Sequence, residues 1–250
     1  LSDLKLDAIR AIGTMKIQEA KTLLMKMISN DQSGDEARAA AIEAYINLEN
    51  TLKLEDLHRM AVSQRAGFRQ LADVVIAHLE LDQELAISVT HLSDSHQDVK
   101  RNALITLGKM IHSKEFPKAD VMEKLKILRH DRDIKTKITA LWLTTLLDPA
   151  LSEQGFLQCL NNPSLEVRVR AAAALGVTGF IGKELILKAY DQCSCPFAKL
   201  NLAMAMIPLE LRQEEALSTL KEALKTDERF AILEDGFVEA VIPSKLNRSK

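Results

Sequence analysis

Apolar residues recur along the chain at the spacing of an amphipathic helix. The clearest example ends at Gly176, which we number position 0 of a repeat. Before it, apolar or small residues occupy positions −9, −5, −2 and −1, and a basic residue occupies −8; these are Val167, Ala171, Ala174, Leu175 and Arg168. The four apolar positions fall on one side of a helix with 3.6 residues per turn. The pattern predicts a helix that packs on its neighbours, here called the second helix of a repeat.

The same pattern is found eight times along the chain. Two more good copies end at Gly13 and Gly108, and fainter copies end at Ile46, Ala77, Leu143, Ile207 and Val238. Successive positions 0 lie 31 to 35 residues apart, and the longest step runs from Gly108 to Leu143. A period in the low thirties is typical of stacked helical repeats. Another apolar-periodic stretch precedes each second helix, as from Ala20 to Ile28, and predicts a first helix.

The best copies of the pattern resemble a known repeat family. In the stretch Leu157 to Gly176, the segment Leu160-Asn161-Asn162-Pro163 leads into Glu166-Val167-Arg168 and then into Ala171 to Gly176. This stretch resembles the HEAT motif, especially the short bacterial form of phycobilisome-lyase-like proteins. Tetratricopeptide repeats fit less well, because they need a Trp early in each repeat and the chain has a single Trp. The resemblance covers essentially the whole chain and implies protein recognition along a curved surface, with no catalytic residues.

The expected fold is all-α, a right-handed α-solenoid of about eight two-helix HEAT-like repeats. We expect one domain over residues 1–250. Its repeats are expected at residues 1–16 (partial), 17–50, 51–81, 82–115, 116–148, 149–180, 181–211 and 212–250. Because the sequence opens at Leu1 inside a helical pattern, we also expect it to be a segment of a longer protein.

Composition and charge narrow the classes of partner. The formal net charge is −2, so no global positive field attracts nucleic acid or an anionic membrane. No apolar run reaches the roughly 18 to 20 residues of a membrane helix. The three cysteines are an odd number and do not resemble the disulfide framework of a secreted module. We therefore expect a cytoplasmic protein without a membrane span that does not bind nucleic acid.

A column of basic residues is the most prominent candidate binding feature. Seven of the eight patterns carry Lys or Arg at position −8, and in three of them a second basic residue follows. The expected patch consists of Lys100, Arg101, Lys135, Lys137, Arg168 and Arg170. The competing interpretation is a structural ladder, because carboxylates two residues earlier, such as Asp98 and Glu166, alternate with the cations. A solvated face is the simpler explanation of the doubled residues, because charge on exposed helix positions is normal.

Other chemistry-bearing residues form no recognisable site. Cys193 and Cys195 lack two further metal ligands at a suitable spacing, so we expect no metal, and Cys159 is expected in the core. We expect surface positions for the histidines, including His91, His96 and His130, and core packing for Trp142 instead of stacking on a base. No nucleophile, carboxylate pair or glycine-rich phosphate loop stands out, so neither catalytic residues nor cofactors are predicted.

The sequence thus predicts a non-catalytic HEAT-repeat scaffold. Its concave face, formed by second helices, is expected to bind a protein or peptide; the partner's identity and the oligomeric state stay open. The alternative is a HEAT-like enzyme or enzyme accessory, similar to the DNA glycosylases or the chromophore lyases of that fold. Such a protein would use the basic patch of repeats four to six, and this alternative is supported by fold analogy and by that patch.

Overall fold

The computed structural model describes residues 2–29, 35–49 and 52–226 and contains only helices and connections there. The predicted all-α class is confirmed over these residues. The α-helices are α1 (Ser2–Thr14), α2 (Lys21–Ser29), α3 (Asp35–Glu49), α4 (Leu54–Ala61), α5 (Ala66–His78), α6 (Leu85–His91), α7 (Gln97–Lys109), α8 (Lys118–Leu128), α9 (Ile134–Leu147), α10 (Glu153–Leu160), α11 (Leu165–Gly176), α12 (Lys183–Gln192), α13 (Pro196–Met206) and α14 (Gln213–Thr226). The second helix predicted to end at Val238 lies outside the described residues.

The chain divides into two compact units, residues 1–117 and residues 118–250. In the first unit, the second helices α1, α3, α5 and α7 pack on one another in chain order, and α2, α4 and α6 each pack on the following second helix. In the second unit, α9, α11 and α13 pack in the same order, with α8, α10 and α12 each against the next helix. Two-helix packing therefore recurs within each unit. The single domain over residues 1–250 stays a prediction.

The predicted apolar stripe is the buried face of the second helices. In α11 and α7 the side chains at positions −9, −5, −2 and −1 are all buried; they are Val167, Ala171, Ala174, Leu175, Val99, Ala103, Thr106 and Leu107. Burial of such a stripe is the main source of stability for a surface helix, because isolated helices of this length are marginal in water. Over the described residues, no helix has the length and apolar character needed to cross a membrane.

The glycines at position 0 mark the closest approach of consecutive second helices. A Cβ atom added to Gly13 would lie 2.6 Å from the Ala44 Cα atom, and one added to Gly176 would lie 2.9 Å from the Ala205 Cβ atom. Ala44 and Ala205 both occupy position −2 of the following repeat. The same contact between position 0 and the next position −2 is therefore found in both units. Its small side chains let the two helix backbones approach closely.

The structure corrects the register of one repeat. The other described second helices begin 11 residues before position 0, as α11 does at Leu165 for Gly176. Helix α9 begins at Ile134, nine residues before Leu143, which the sequence pattern placed at position 0. Shifting the repeat by two residues restores the common start. It also places Thr136, which is fully buried, at the buried position −9.

With this shift, position 0 of the repeat is Thr145 and position −8 is Lys137. The assignment of these positions to Leu143 and Lys135 is therefore wrong by two residues, because α9 begins at Ile134 and buries Thr136 and Thr145. The Thr145 hydroxyl donates a hydrogen bond to the Leu141 carbonyl one turn earlier, at 2.9 Å. That internal bond lets the side chain occupy the core without an unsatisfied polar group. The corrected steps around this repeat are 37 and 31 residues, so the irregularity falls entirely before α9.

Candidate functional site

The six residues of the expected basic patch are distributed over three helices. Lys100 and Arg101 lie on α7 in the first unit, whereas the other four lie on α9 and α11 in the second. The Arg101 guanidinium pairs with Asp98, and the Arg170 guanidinium pairs with Glu166 at 3.3 Å. Lys135 is exposed, and the other five are half-buried. A common binding role for the six residues stays a prediction.

Arginines at position −8 bind backbone carbonyl groups near the end of the first helix in their own repeat. The contacts are Arg38 Nε to Ile28 O (3.1 Å), Arg69 Nη1 to Ser63 O (2.6 Å), Arg168 Nη1 to Asn162 O (2.6 Å) and Arg168 Nη1 to Pro163 O (2.9 Å). Carbonyl groups at the end of a helix and just after it lack donors within the helix, so cations stabilise this end. These arginines therefore hold the two helices of a repeat together, which is a structural use of the basic column.

Arg69 also reaches the next repeat. Its Nε and Nη2 atoms donate to the two carboxylate oxygens of Asp94, at 2.7 and 3.0 Å. Both side chains are nearly buried, with exposures of 12% and 10%. Burial disfavours the charged form of Asp94, but hydrogen bonds from Arg69 and from the His96 N–H lower its pKa below the ordinary value. A forked, charge-assisted pair thus joins two successive repeats.

Asp94 occupies position −14, where a polar side chain recurs in several repeats. Each such side chain accepts a hydrogen bond from the backbone N–H two residues later, at 2.8 to 3.2 Å; they are Ser63, Asp94, Asp131 and Asn162. The repeat that ends at Ile207 has Cys193 at this position. The Cys193 thiol is a donor, to the Cys195 carbonyl at 3.5 Å. This turn therefore offers no carboxylate to the arginine of the preceding repeat.

That arginine is Arg168, and it lines an open groove. Among the described residues its buried Nε atom has no hydrogen-bond partner. The groove has a volume of about 430 Å³ and its lining includes Asn161, Leu165, Arg168, Ser194, Pro196 and Phe197. Pockets that bind small ligands or parts of peptides are of this size. We regard the groove beside Arg168 as the candidate functional site.

A second groove of the same unit is less suited to binding a charged ligand. It has a volume of about 570 Å³ and lies along α10 and α12. Four of its five charged side chains pair with each other, Lys188 with Glu153 and Arg212 with Asp191 at 2.7 Å, and Glu184 pairs with Lys183 at 4.0 Å. A ligand with charged groups would have to displace these internal pairs.

A buried polar network in the first unit was missed by sequence reasoning. Asp73 on α5 is fully buried and accepts hydrogen bonds from Ser88 Oγ at 2.7 Å and His91 Nδ1 at 2.8 Å. His91 Nε2 bonds the Ala61 carbonyl at 2.9 Å, and Thr106 Oγ1 donates to the Asp73 carbonyl at 2.8 Å. The network joins α4, α5, α6 and α7. Asp73 lies inside the apolar run of α5, and this feature of the sequence could have indicated a buried polar network.

The expectation that His91 lies at the surface is wrong. His96 and His130 are exposed as expected, but the His91 side chain is only 5% exposed. His91 is close to a turn because it ends α6, yet that helix packs against α5 and α7. Its ring is therefore directed toward Asp73, a partner that spacing along the sequence does not identify.

The network contains the residue types of a catalytic triad without its geometry. In such a triad the histidine accepts the proton of the serine, and the carboxylate orients the histidine. Here the Ser88 hydroxyl bonds the Asp73 carboxylate, and the distal nitrogen of His91 bonds a backbone carbonyl. Both serine and histidine are buried. The arrangement provides no activated nucleophile and is a structural network.

The fold raises the pKa of both Asp73 and His91, which share a hydrogen-bonded proton. Burial raises the pKa of Asp73, and the hydrogen bonds from His91 and Ser88 offset only part of the rise. Burial lowers the pKa of His91, but the hydrogen bond and charge of Asp73 and the Ala61 carbonyl raise it above the ordinary value. The folded protein therefore keeps the shared proton to a higher pH than a free histidine does.

We expect the free energy of unfolding to fall as pH rises above about 6.5, the ordinary pKa of histidine. The folded-state pKa is the higher one, so the stabilisation is complete below the unfolded pKa and is lost as pH rises through the folded pKa. Each unit of pKa difference contributes about 1.4 kcal/mol. Urea unfolding at pH 6, 7.5 and 9 measures the effect. In the His91→Gln variant the fall should be smaller; equal falls in the two proteins would contradict the assignment.

The cysteines and the tryptophan are core residues. Cys159, Cys193 and Cys195 are free thiols and all are buried. Burial raises the pKa of Cys159 and of Cys193 above the ordinary value, so these thiols are poor nucleophiles. Trp142 is 3% exposed, as expected for core packing. Over residues 2–29, 35–49 and 52–226, no group of three or more His, Cys, Asp or Glu side chains could hold a metal ion.

No protein-family model matches the chain, and no curated protein matches it. The HEAT resemblance therefore rests on the residues of the repeat itself.

Proposed function

We propose that the chain is a non-catalytic scaffold of the HEAT-repeat type, a right-handed α-solenoid that binds a protein or peptide partner. One observation carries the proposal: the contact of position 0 with the next position −2 recurs in both units, at Gly13 with Ala44 and at Gly176 with Ala205. Repeats that contact only their neighbours form extended surfaces, and such surfaces bind macromolecules. We therefore expect the partner to bind the exposed side of the second helices.

The exposed side of the second helices carries apolar side chains suited to a partner. Val74 on α5 and Met204 on α13 both occupy position −3 of their repeats, with exposures of 43% and 52%. Methionine adapts to different ligand shapes and is common at peptide-binding surfaces. The arginines at position −8, by contrast, bind carbonyl groups of their own repeat, which counts against their use as a row of phosphate ligands.

Selection from a phage-displayed peptide library on the immobilised chain tests the proposal. We expect enriched peptides that bind the chain in solution, with affinities weakened at least tenfold by Met204→Lys because a charge enters the contact surface. Ile127→Lys is the matched control, since Ile127 is 73% exposed on the first helix α8. Fluorescence anisotropy with each purified variant gives the affinities.

Three outcomes would contradict the scaffold. The library could yield no peptide that binds in solution, or Ile127→Lys could weaken binding as much as Met204→Lys does. Tight binding of DNA or RNA that weakens steeply with salt would also overturn it, because counterion release is the signature of nucleic-acid recognition.

A further inference from the structure

We propose that the groove beside Arg168 binds the side-chain carboxylate of an Asp or Glu residue in a partner peptide. The inference rests on the proposed scaffold function and adds the chemistry by which one subsite recognises its ligand. It is drawn from a comparison of two repeats of the same chain, one whose arginine has a carboxylate partner and one whose arginine has none.

The two arginines are equivalent in position and in their backbone contact. Arg69 and Arg168 both occupy position −8, and each donates from Nη1 to the carbonyl of its own position −14, at 2.6 Å. This shared anchor gives the two guanidinium groups the same role in their repeats. Arg69 then directs Nε and Nη2 at the two oxygens of Asp94. In Arg168 these are the two nitrogens that make no contact with the turn.

The turn next to Arg168 cannot supply the missing anion. Cys193 stands where Asp94 stands in the other repeat, and burial raises the pKa of its thiol, which therefore stays neutral. The closest acid along the helix, Glu166, pairs with Arg170. Arg168 Nε is buried, and among the described residues it has no hydrogen-bond partner. A buried cationic donor without an acceptor is costly, so rotation of the Arg168 guanidinium toward a carboxylate in the groove is favoured.

The apolar wall of the groove predicts the type of residue beside the carboxylate. Leu165 is 41% exposed and Phe197 is half-buried in its wall, beside the polar Asn161 and Ser194. A volume of about 430 Å³ accommodates a short segment of peptide and is too small for a folded domain. The preferred ligand is therefore an acidic residue with an apolar neighbour. A second cation, Lys199 on α13, lies over the Tyr190 ring at 4.5 Å and adds positive charge to this end of the unit.

The test uses three acetylated, amidated peptides of sequence Ser-Leu-Xaa-Leu-Ser, in which Xaa is Glu, Gln or phosphoserine. The ¹⁵N–¹H signal of Arg168 Nε, assigned with Arg168→Gln, reports binding to the full chain. We expect the Glu peptide to shift this signal and to bind at least tenfold more tightly than the Gln peptide. A phosphoserine peptide that binds while the Glu peptide does not would overturn the carboxylate assignment.

Cys193→Asp supplies an internal competitor. Its carboxylate should pair with Arg168 as Asp94 pairs with Arg69, and we expect the affinity for the Glu peptide to fall at least tenfold. Cys193→Ser is the matched control and should change that affinity less than twofold. Unchanged binding in Cys193→Asp, or no Arg168 shift with the Glu peptide in the wild type, would overturn the inference. Peptides selected from the library would still bind in that case, whereas failure of the scaffold proposal would leave no binding peptide at all.

Discussion

Replacing Asp73 with alanine should lower the free energy of unfolding by about 3 to 5 kcal/mol, the usual effect of removing one partner of a buried ion pair. The variant leaves the His91 ring and the Ser88 hydroxyl inside the first unit without their acceptor. Neither group can reach water, because both are buried. Urea unfolding followed by circular dichroism measures the loss.

An apolar replacement of the whole network is the control for this prediction. The preceding and following repeats show which side chains fit: Leu104 occupies the position equivalent to Asp73, and Met60 the position equivalent to His91. The combined variant Asp73→Leu, Ser88→Ala and His91→Met removes the polar groups together, so no buried charge is left unpaired. We expect it to be destabilised by less than half as much as Asp73→Ala. A loss as large as that of the single variant would show that the network itself is not the cause.

The network also has consequences for which helices pair in the first unit. Buried polar groups penalise alternative packings, because a shift that separates them from their hydrogen-bond partners leaves them unsatisfied. Repeats of similar sequence can in principle pack in a wrong order. The network joins α4, α5, α6 and α7 and distinguishes this repeat pair from the other described repeats, which have apolar residues such as Leu104 at the position equivalent to Asp73.

Sequence periodicity was sufficient for the local elements and insufficient for contacts between them. The stripe of α11 follows from the helix period alone, so its burial could be predicted from Val167 to Gly176. The reason for glycine at position 0 could not, because it depends on Ala205 in the next repeat. The register of α9 was missed for a related reason. Buried threonines satisfy their hydroxyl groups within the helix, and a hydropathy pattern counts such residues as polar.

The candidate site was predictable only in part. The basic column at position −8 is visible in the sequence, but it contains both Arg69, whose charge is neutralised by Asp94, and Arg168, whose neighbour is Cys193. The distinction depends on which residue of the next repeat faces each arginine. Once it is known that Arg69 pairs with position −14 of the next repeat, the sequence shows which arginines have a carboxylate partner and which do not.

Gly13→Ala tests the contact on which the repeat proposal rests. The added methyl group would lie 2.6 Å from the Ala44 Cα atom and 2.9 Å from its carbonyl oxygen. Both atoms belong to the backbone of α3, so the clash cannot be relieved by rotating a side chain, and α1 must move away from α3. We expect a loss of about 2 to 3 kcal/mol in the free energy of unfolding, at the upper end of the usual cost of overpacking. Urea unfolding provides the measurement.

Gly67→Ala is the matched control, because the same chemical change on α5 meets no atom within 4 Å. Alanine is the better helix former, so this variant should be unchanged or stabilised by up to about 1 kcal/mol. The difference between the two variants isolates the cost of the close approach from the general effect of adding a methyl group to a helix. If Gly13→Ala were as stable as Gly67→Ala, α1 and α3 would not approach at Gly13, and the recurring contact that supports the repeat architecture would be lost from the first unit.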